Sequence, residues 1–246
     1  MTTVLLVRHG RTIANATAVL AGWTPGVTLD ETGQAQAAKL AERLSVVPLS
    51  AVVASPLERC QQTAQAVVGD QAGELKIHTD DRLGECRYGD WTGRPIKELA
   101  KDPLWKVVQQ HPSAVVFPGL EGEALAATQA RAVAAIREWD VRVREEHGPD
   151  AVWMACSHGD VIKSVLADAL GQHLDLFQRI VVDPCSVSVV RYTETRPFVV
   201  RMNDTGGDVS ALLPPKKRRR KTRAHESDAV VGGGAGAEAT PRPAGQ

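Results

Sequence analysis

Three short apolar runs in the chain end in residues suited to anion chemistry. Val4–Val7 runs into Arg8-His9-Gly10, Ala51–Ala54 into Ser55-Pro56-Leu57-Glu58-Arg59, and Ala151–Cys156 into Ser157-His158-Gly159-Asp160. A phosphoryl group carries about two negative charges near neutral pH. A guanidinium offers the oxygens of such a group paired, coplanar donors, which is a task for Arg8 and Arg59. A neutral imidazole on His9 can attack phosphorus in line. A protonated His158 can hold an equatorial oxygen as charge develops in the transition state, and Gly10 and Gly159 leave room for backbone to approach the phosphate. Four donors of this kind do electrostatically what magnesium does in kinases, so the pattern calls for no metal and no cofactor. Each residue alone has a plainer reading, since a strand-end histidine is ordinarily a polar cap. The convergence of two histidines and two arginines carries the chemical one.

That convergence requires the three runs to be neighbouring strands. In an open α/β sheet, ligands bind beyond the carboxyl ends of the strands, where all three segments place their polar residues. Val4–Val7 is apolar throughout, as a strand buried on both faces should be. A helix is expected over about 29–44, with Thr28 and Glu31 at capping-box spacing. Ser55-Pro56 reads as an N-cap followed by proline at the first helical position, opening a helix to about Val68. Residues 75–78 suggest a third strand, Ile96–Gln109 a helix within excursion loops, Glu123–His147 a long helix, and Asp160–Leu170 another that ends at Gly171. "SVSVVRY" and "PFVVRM" read as a closing antiparallel hairpin. Strands alternating with helices predict a three-layer α/β/α sandwich with a mostly parallel central sheet.

Four stretches, "LLVRHGRTIAN", "VVASPLERCQQTA", "LGECRYGDWTG" and "CSHGDVIK", together resemble the histidine phosphatase superfamily, also called phosphoglycerate mutase-like. The likeness runs from about Val4 to Met202, with the motifs in family order. It implies a phosphohistidine intermediate on His9 and a proton-donating acid on the loop after the third strand, in the pattern L-x-E. That acid is Glu85, with Asp80, Asp81 and Asp90 as nearby rivals. It would protonate the leaving oxygen and then deprotonate the attacking water. The resemblance also assigns phosphate contact to Asn15 and places Gly22 and Trp23 at the mouth of the pocket, beside Arg8, Arg59, His158 and Gly159 as substrate-binding residues.

The same pocket serves two reactions. Cofactor-dependent mutases of this family carry a basic R-R-S-x-D stretch after the acid, and none stands between Glu85 and Ser157. Many family phosphatases show P-G-G-E-S where this chain has Pro118-Gly119-Leu120-Glu121-Gly122-Glu123-Ala124. The expectation is therefore a metal-independent phosphatase acting on a small-molecule phosphomonoester. A phosphoglycerate mutase is the alternative, and a catalytically weak phospho-ligand binding module with a partner-recruiting tail is a further one.

Composition sets the frame. The 246 residues carry 29 basic and 29 acidic side chains, but eight of the basic and three of the acidic ones lie from Pro214 onward. The neutral total thus joins a mildly acidic domain, residues 1–206, to a basic, then Gly/Ala/Pro-rich tail over 207–246, which reads as disordered. "PPKKRRRKTR" in that tail is a candidate polyanion binder. No signal peptide or membrane-length apolar run is seen. Cys60, Cys86, Cys156 and Cys185 have no metal-ligand spacing and suit a reducing compartment. A cytoplasmic enzyme with no obligate nucleic acid and no membrane partner is expected, and a homo-oligomer stays open.

Overall fold

The computed structural model describes residues 1–69, 71, 75–207, 232 and 234. Six strands form one sheet: β1 (Thr2–Arg8), β2 (Leu49–Ala54), β3 (Ile77–Thr79), β4 (Val152–Ser157), β5 (Val187–Tyr192) and β6 (Pro197–Asp204), in the spatial order β3-β2-β4-β1-β5-β6. The first four in that order are mutually parallel, and β5 and β6 close the sheet antiparallel. The mostly parallel sandwich expected from sequence is the fold observed. Apart from Gly207, Gly232 and Gly234, the tail lies outside the described residues.

Strand alternation builds the layers. On one face Val4, Leu6, Val53, Trp153 and Ala155 pack with α6 (Leu125–His147) and α7 (Gly159–Ala169), through Ala135, Ile136, Trp139 and Val165. On the other, Leu5, Val7, Val52, Ala54, Met154 and Cys156 pack with α2 (Glu31–Leu44) and α3 (Glu58–Gly69), through Ala37, Leu40, Cys60, Ala64 and Val67. Both faces are covered, so the strands carry continuous apolar runs.

Several boundaries differ from expectation for local reasons. The cap of α2 is Asp30, whose Oδ1 accepts from Gly33 N at 2.7 Å, not Thr28. α3 begins at Glu58, not at Pro56; the Ser55 hydroxyl accepts from Leu57 N at 3.3 Å and also meets His158 Nε2 at 2.8 Å. The helix expected over 96–109 is two, α4 (Ile96–Leu99) and α5 (Pro103–Gln110), since Pro103 cannot continue a helix and Asp102 caps a new one. A one-turn helix, α1 (Ile13–Ala16), follows β1 under a reciprocal Thr12–Asn15 cap. Among the described residues no helix is long and apolar enough to cross a membrane.

Candidate active site

Register brings the two histidines together. β1 and β4 pair with Arg8 beside Ser157, and the His9 amide donates to the Ser157 carbonyl at 3.0 Å. The next residue of each strand therefore leaves the sheet at the same point. The rings of His9 and His158 meet edge to face, centroids 5.1 Å apart and planes at 61°. α3 is tied to the same edge: Gly10 N donates to Thr63 Oγ1 at 3.0 Å, and Thr63 Oγ1 donates to the Arg59 carbonyl at 2.7 Å. Arg59, in the first turn of α3, so lies beside the histidines. The expectation that Gly10 makes room for phosphate is corrected here, because a Cβ on it would stand 2.6 Å from the Gly33 carbonyl oxygen of α2. The glycine serves close packing of strand end on helix.

Arg8, His9, Arg59, Glu85 and His158 are each 3% exposed or less. Burial, then the charges of Arg59 and Arg8, hold His9 well below the ordinary imidazole pKa, so the ring is neutral at neutral pH. Its Nδ1 lies 2.7 Å from the Gly10 carbonyl oxygen. A carbonyl can only accept, so Nδ1 carries the proton and Nε2 keeps its lone pair. His158 is also held neutral in the free protein, by burial first and then by Arg59, His9 and Arg8. Its Nε2 stands 2.8 Å from Ser55 Oγ and its Nδ1 3.9 Å from Glu85 Oε2.

The arginines carry spare donors. Arg8 Nη1 donates to the Val182 carbonyl and Arg59 Nη2 to the Gly22 carbonyl, each at 2.8 Å. Arg8 Nε, Arg8 Nη2 and Arg59 Nη1 are buried without a hydrogen-bond partner among the described residues. Unpaired buried donors are costly, and three of them beside a neutral imidazole form a site shaped for an oxyanion.

Glu85 sits opposite on a braced loop. Its pKa is pushed up to about 7, by burial first and then by the Asp160 carboxylate, against the lowering effect of Arg59. Trp23 Nε1 and Arg131 Nη2 donate to its carbonyl at 2.6 and 3.0 Å. Arg131 Nη1 also donates to the carbonyls of Arg82 and Gly84, and Ser157 Oγ to that of Leu83. Glu123 secures Arg131 at 2.7 Å. The rival acids have structural work: Asp80 caps the turn Asp81–Leu83, pairs with Arg82 and accepts from Trp139, and the Asp90 side chain stands against Gly119. Trp91 is core, packed on Trp105 and Phe117.

A cavity of about 250 Å³ opens on this centre. Of the residues expected at the site, His9, Asn15, Gly22, Arg59 and Glu85 line it. Arg8, His158 and Gly159 lie buried outside that lining, and Trp23 braces the Glu85 loop with Arg87 stacked 4.0 Å over its ring. The Oδ1 of Asn15 is committed to the α1 cap, which leaves its NH2 for a ligand. Sequence reasoning missed Ser55, Arg131, Glu123 and Asp160 as supports. It also missed Gly232 and Gly234, which line the cavity, Gly232 N donating to Asp160 Oδ2 at 2.8 Å. The only signals were an arginine eight residues after Glu123 and an aspartate directly after S-H-G.

Comparison with known proteins identifies the family. The profile of the histidine phosphatase superfamily (branch 1) matches residues 4–205. Phosphoserine phosphatase 1 of Hydrogenobacter thermophilus is 29% identical over 208 residues, covering 83% of this chain and 93% of its own. A Yersinia enterocolitica protein named "Probable phosphoglycerate mutase GpmB" is 32% identical over 219 residues, 87% of this chain and 97% of its own. The solved structure of Bacillus stearothermophilus YhfR superposes with a TM-score of 0.74 at 28% identity, covering 83% of this chain and 98% of that one. With the profile spanning all six strands, the chain belongs to the histidine phosphatase superfamily, whose members are phosphatases or mutases.

Proposed function

We propose that the protein is a metal-independent phosphatase that hydrolyses a small-molecule phosphomonoester through a phosphohistidine on His9. The observation that carries this reading is the neutral His9 imidazole, with Nε2 free, beside three guanidinium nitrogens of Arg8 and Arg59 that have no hydrogen-bond partner among the described residues. The arginines and the Asn15 amide hold the phosphoryl oxygens. Binding of that dianion beside His158 raises the pKa of its ring, which then donates to the oxygen where charge develops. His9 Nε2 forms a bond to phosphorus as the ester P–O bond breaks, and the departing oxygen takes the proton of Glu85. Water then enters, loses a proton to the Glu85 carboxylate and attacks phosphorus. The N–P bond breaks, inorganic phosphate leaves, and both residues return to their starting states.

A raised Glu85 pKa of about 7 supports both roles, because acid and base forms are each accessible near neutrality. Hydrolysis is favoured over mutase chemistry because, among the described residues, Arg59 is the only Arg or Lys that lines the cavity. A phosphoglycerate mutase must also hold the carboxylate of its substrate. Four free, buried thiols support a reducing, cytoplasmic setting. The test is steady release of phosphate from an aryl phosphate ester by the full chain in the presence of a metal chelator. Phosphoryl transfer between the hydroxyls of phosphoglycerate with little hydrolysis would establish the mutase instead, and stoichiometric binding without turnover the phospho-ligand module.

A further inference from the structure

Resting on the hydrolase reading, we propose that the natural leaving group is an uncharged, largely apolar alcohol, and that the site discriminates against esters carrying a second anionic group. Beyond the reacting residues and Asn15 the cavity wall includes Ala14, Val19, Leu20, Ala21, Tyr88 and Ile96, and the hydroxyl of Thr12, which also lines it, donates to Asn15 Oδ1. Among the described residues, His9, Arg59 and Glu85 are the cavity's only ionisable side chains apart from the Tyr88 phenol, and that phenol is spent on Asp160, donating to Oδ2 at 2.9 Å. Three guanidinium nitrogens of the two arginines, Arg8 Nε, Arg8 Nη2 and Arg59 Nη1, have no partner among the described residues. These donors, with the Asn15 amide, serve the phosphoryl oxygens, and among the described residues no other Arg or Lys lines the cavity to receive a carboxylate.

The cations of the surrounding loops are committed elsewhere. Arg11 pairs with Asp30 at 2.9 Å, Arg87 stacks on Trp23 and reaches Glu121, and Arg131 is held by Glu123. Arg94 and Lys97, which flank Ile96, do not line the cavity. Negative charge, by contrast, is close. Glu85 is on the wall, and the buried Asp160 carboxylate meets the cavity through Gly232, whose amide donates to its Oδ2. An anionic leaving group would give up its hydration for an apolar wall with the Asp160 carboxylate behind it. Unpaired or like-charge burial of this kind discriminates strongly against such a group. The volume, about 250 Å³, admits one compact ring or a short chain.

The decisive comparison uses the full-length protein and two esters of near-equal shape, 4-methylphenyl phosphate and 4-carboxyphenyl phosphate. The carboxylate makes its phenol the slightly better leaving group, so intrinsic reactivity favours the anionic ester and cannot mimic the expected result. That result is a kcat/KM at least about tenfold higher for the methyl compound, as expected where one partner of a charge is missing. Equal efficiency, or preference for the carboxylated ester, overturns this inference while leaving the hydrolase reading intact. Release of phosphate from neither compound, with transfer between phosphoglycerate hydroxyls, overturns the hydrolase reading and this inference with it.

Discussion

The guanidinium of Arg131 holds the carbonyl of Glu85, Nη2 to O at 3.0 Å, from two turns inside helix α6. Its other nitrogen takes the carbonyls of Arg82 and Gly84 at 2.6 and 2.9 Å. One side chain thus fixes three backbone positions of the loop that presents the acid. Displacement of a catalytic group by about 1 Å costs on the order of a hundredfold in rate. Arg131→Met is therefore expected to lower kcat on an alkyl phosphate by about tenfold to a hundredfold, with little change in KM. The loss on 4-nitrophenyl phosphate should be much smaller, since nitrophenolate leaves without a proton. Steady-state kinetics on the two esters check the contrast, and equal losses on both would assign Arg131 to global folding.

Glu85 gives a pH signature in stability as well as in rate. Its folded pKa of about 7 lies above the ordinary value of 4.5, so the folded state holds a proton that the unfolded state releases. Stability is thus lost as pH rises from about 4.5 through 7, and the cost is fully present above 7. Glu85→Gln removes that cost and keeps an acceptor for the Cys86 amide, which Glu85 Oε1 now binds at 3.0 Å. The variant should melt higher than the parent at pH 8 by at least about 2–4 °C, and at the same temperature at pH 4.5. Differential scanning calorimetry at the two pH values reads this directly.

The same carboxyl should set the alkaline limb of turnover. Asp160 is the charge that, after burial, raises Glu85. Asp160→Asn is then expected to move the alkaline limb of kcat on an alkyl phosphate to lower pH. The pH–rate profile measures it, and an unmoved limb would assign that limb to another group.

The fold was legible because its cause is local: runs such as Val4–Val7 and Val52–Ala54 are apolar on both faces and can only be strands inside a covered sheet. The reacting residues were legible for a related reason. His9, Arg59 and His158 each stand just past a strand end, where sequence position implies spatial position. The supports were not. Arg131 acts on backbone carbonyls some 46–49 residues away, and backbone acceptors leave no mark in a sequence. Ser55 reads as a cap, and its hydroxyl does accept from Leu57 N, but it also meets His158 Nε2 across 103 residues. Gly232 reaches Asp160 from a stretch whose composition has nothing to pack. Tertiary partners decided all three.

Gly10 joins stability to catalysis. A methyl group there would meet the Gly33 carbonyl oxygen at 2.6 Å, a backbone atom that cannot rotate away. Gly10→Ala should cost about 1–3 kcal/mol, as overpacking does, and should shift the neighbouring His9. Urea unfolding and kcat on 4-nitrophenyl phosphate are expected to fall together, and an unchanged midpoint would mean that α2 yields freely.

Arg59 offers a test of the anion site. Its Nη2 is spent on the Gly22 carbonyl while Nη1 is spare, so its function needs two donors in a plane. Lysine keeps the charge and loses the fork. Arg59→Lys should lower kcat/KM by roughly a hundredfold, in line with loss of one transition-state donor, and weaken competitive inhibition by vanadate.

The claim at the centre of this account is the covalent role of His9. The direct measurement is rapid acid-free quenching of the full chain during turnover of a phosphate ester, followed by intact mass and peptide mapping at alkaline pH. The account predicts one phosphoryl group per chain, on His9, stable in alkali and lost in acid, and absent together with turnover in His9→Ala. Turnover that survives His9→Ala, or an acid-stable phosphoryl group on another residue, would contradict it.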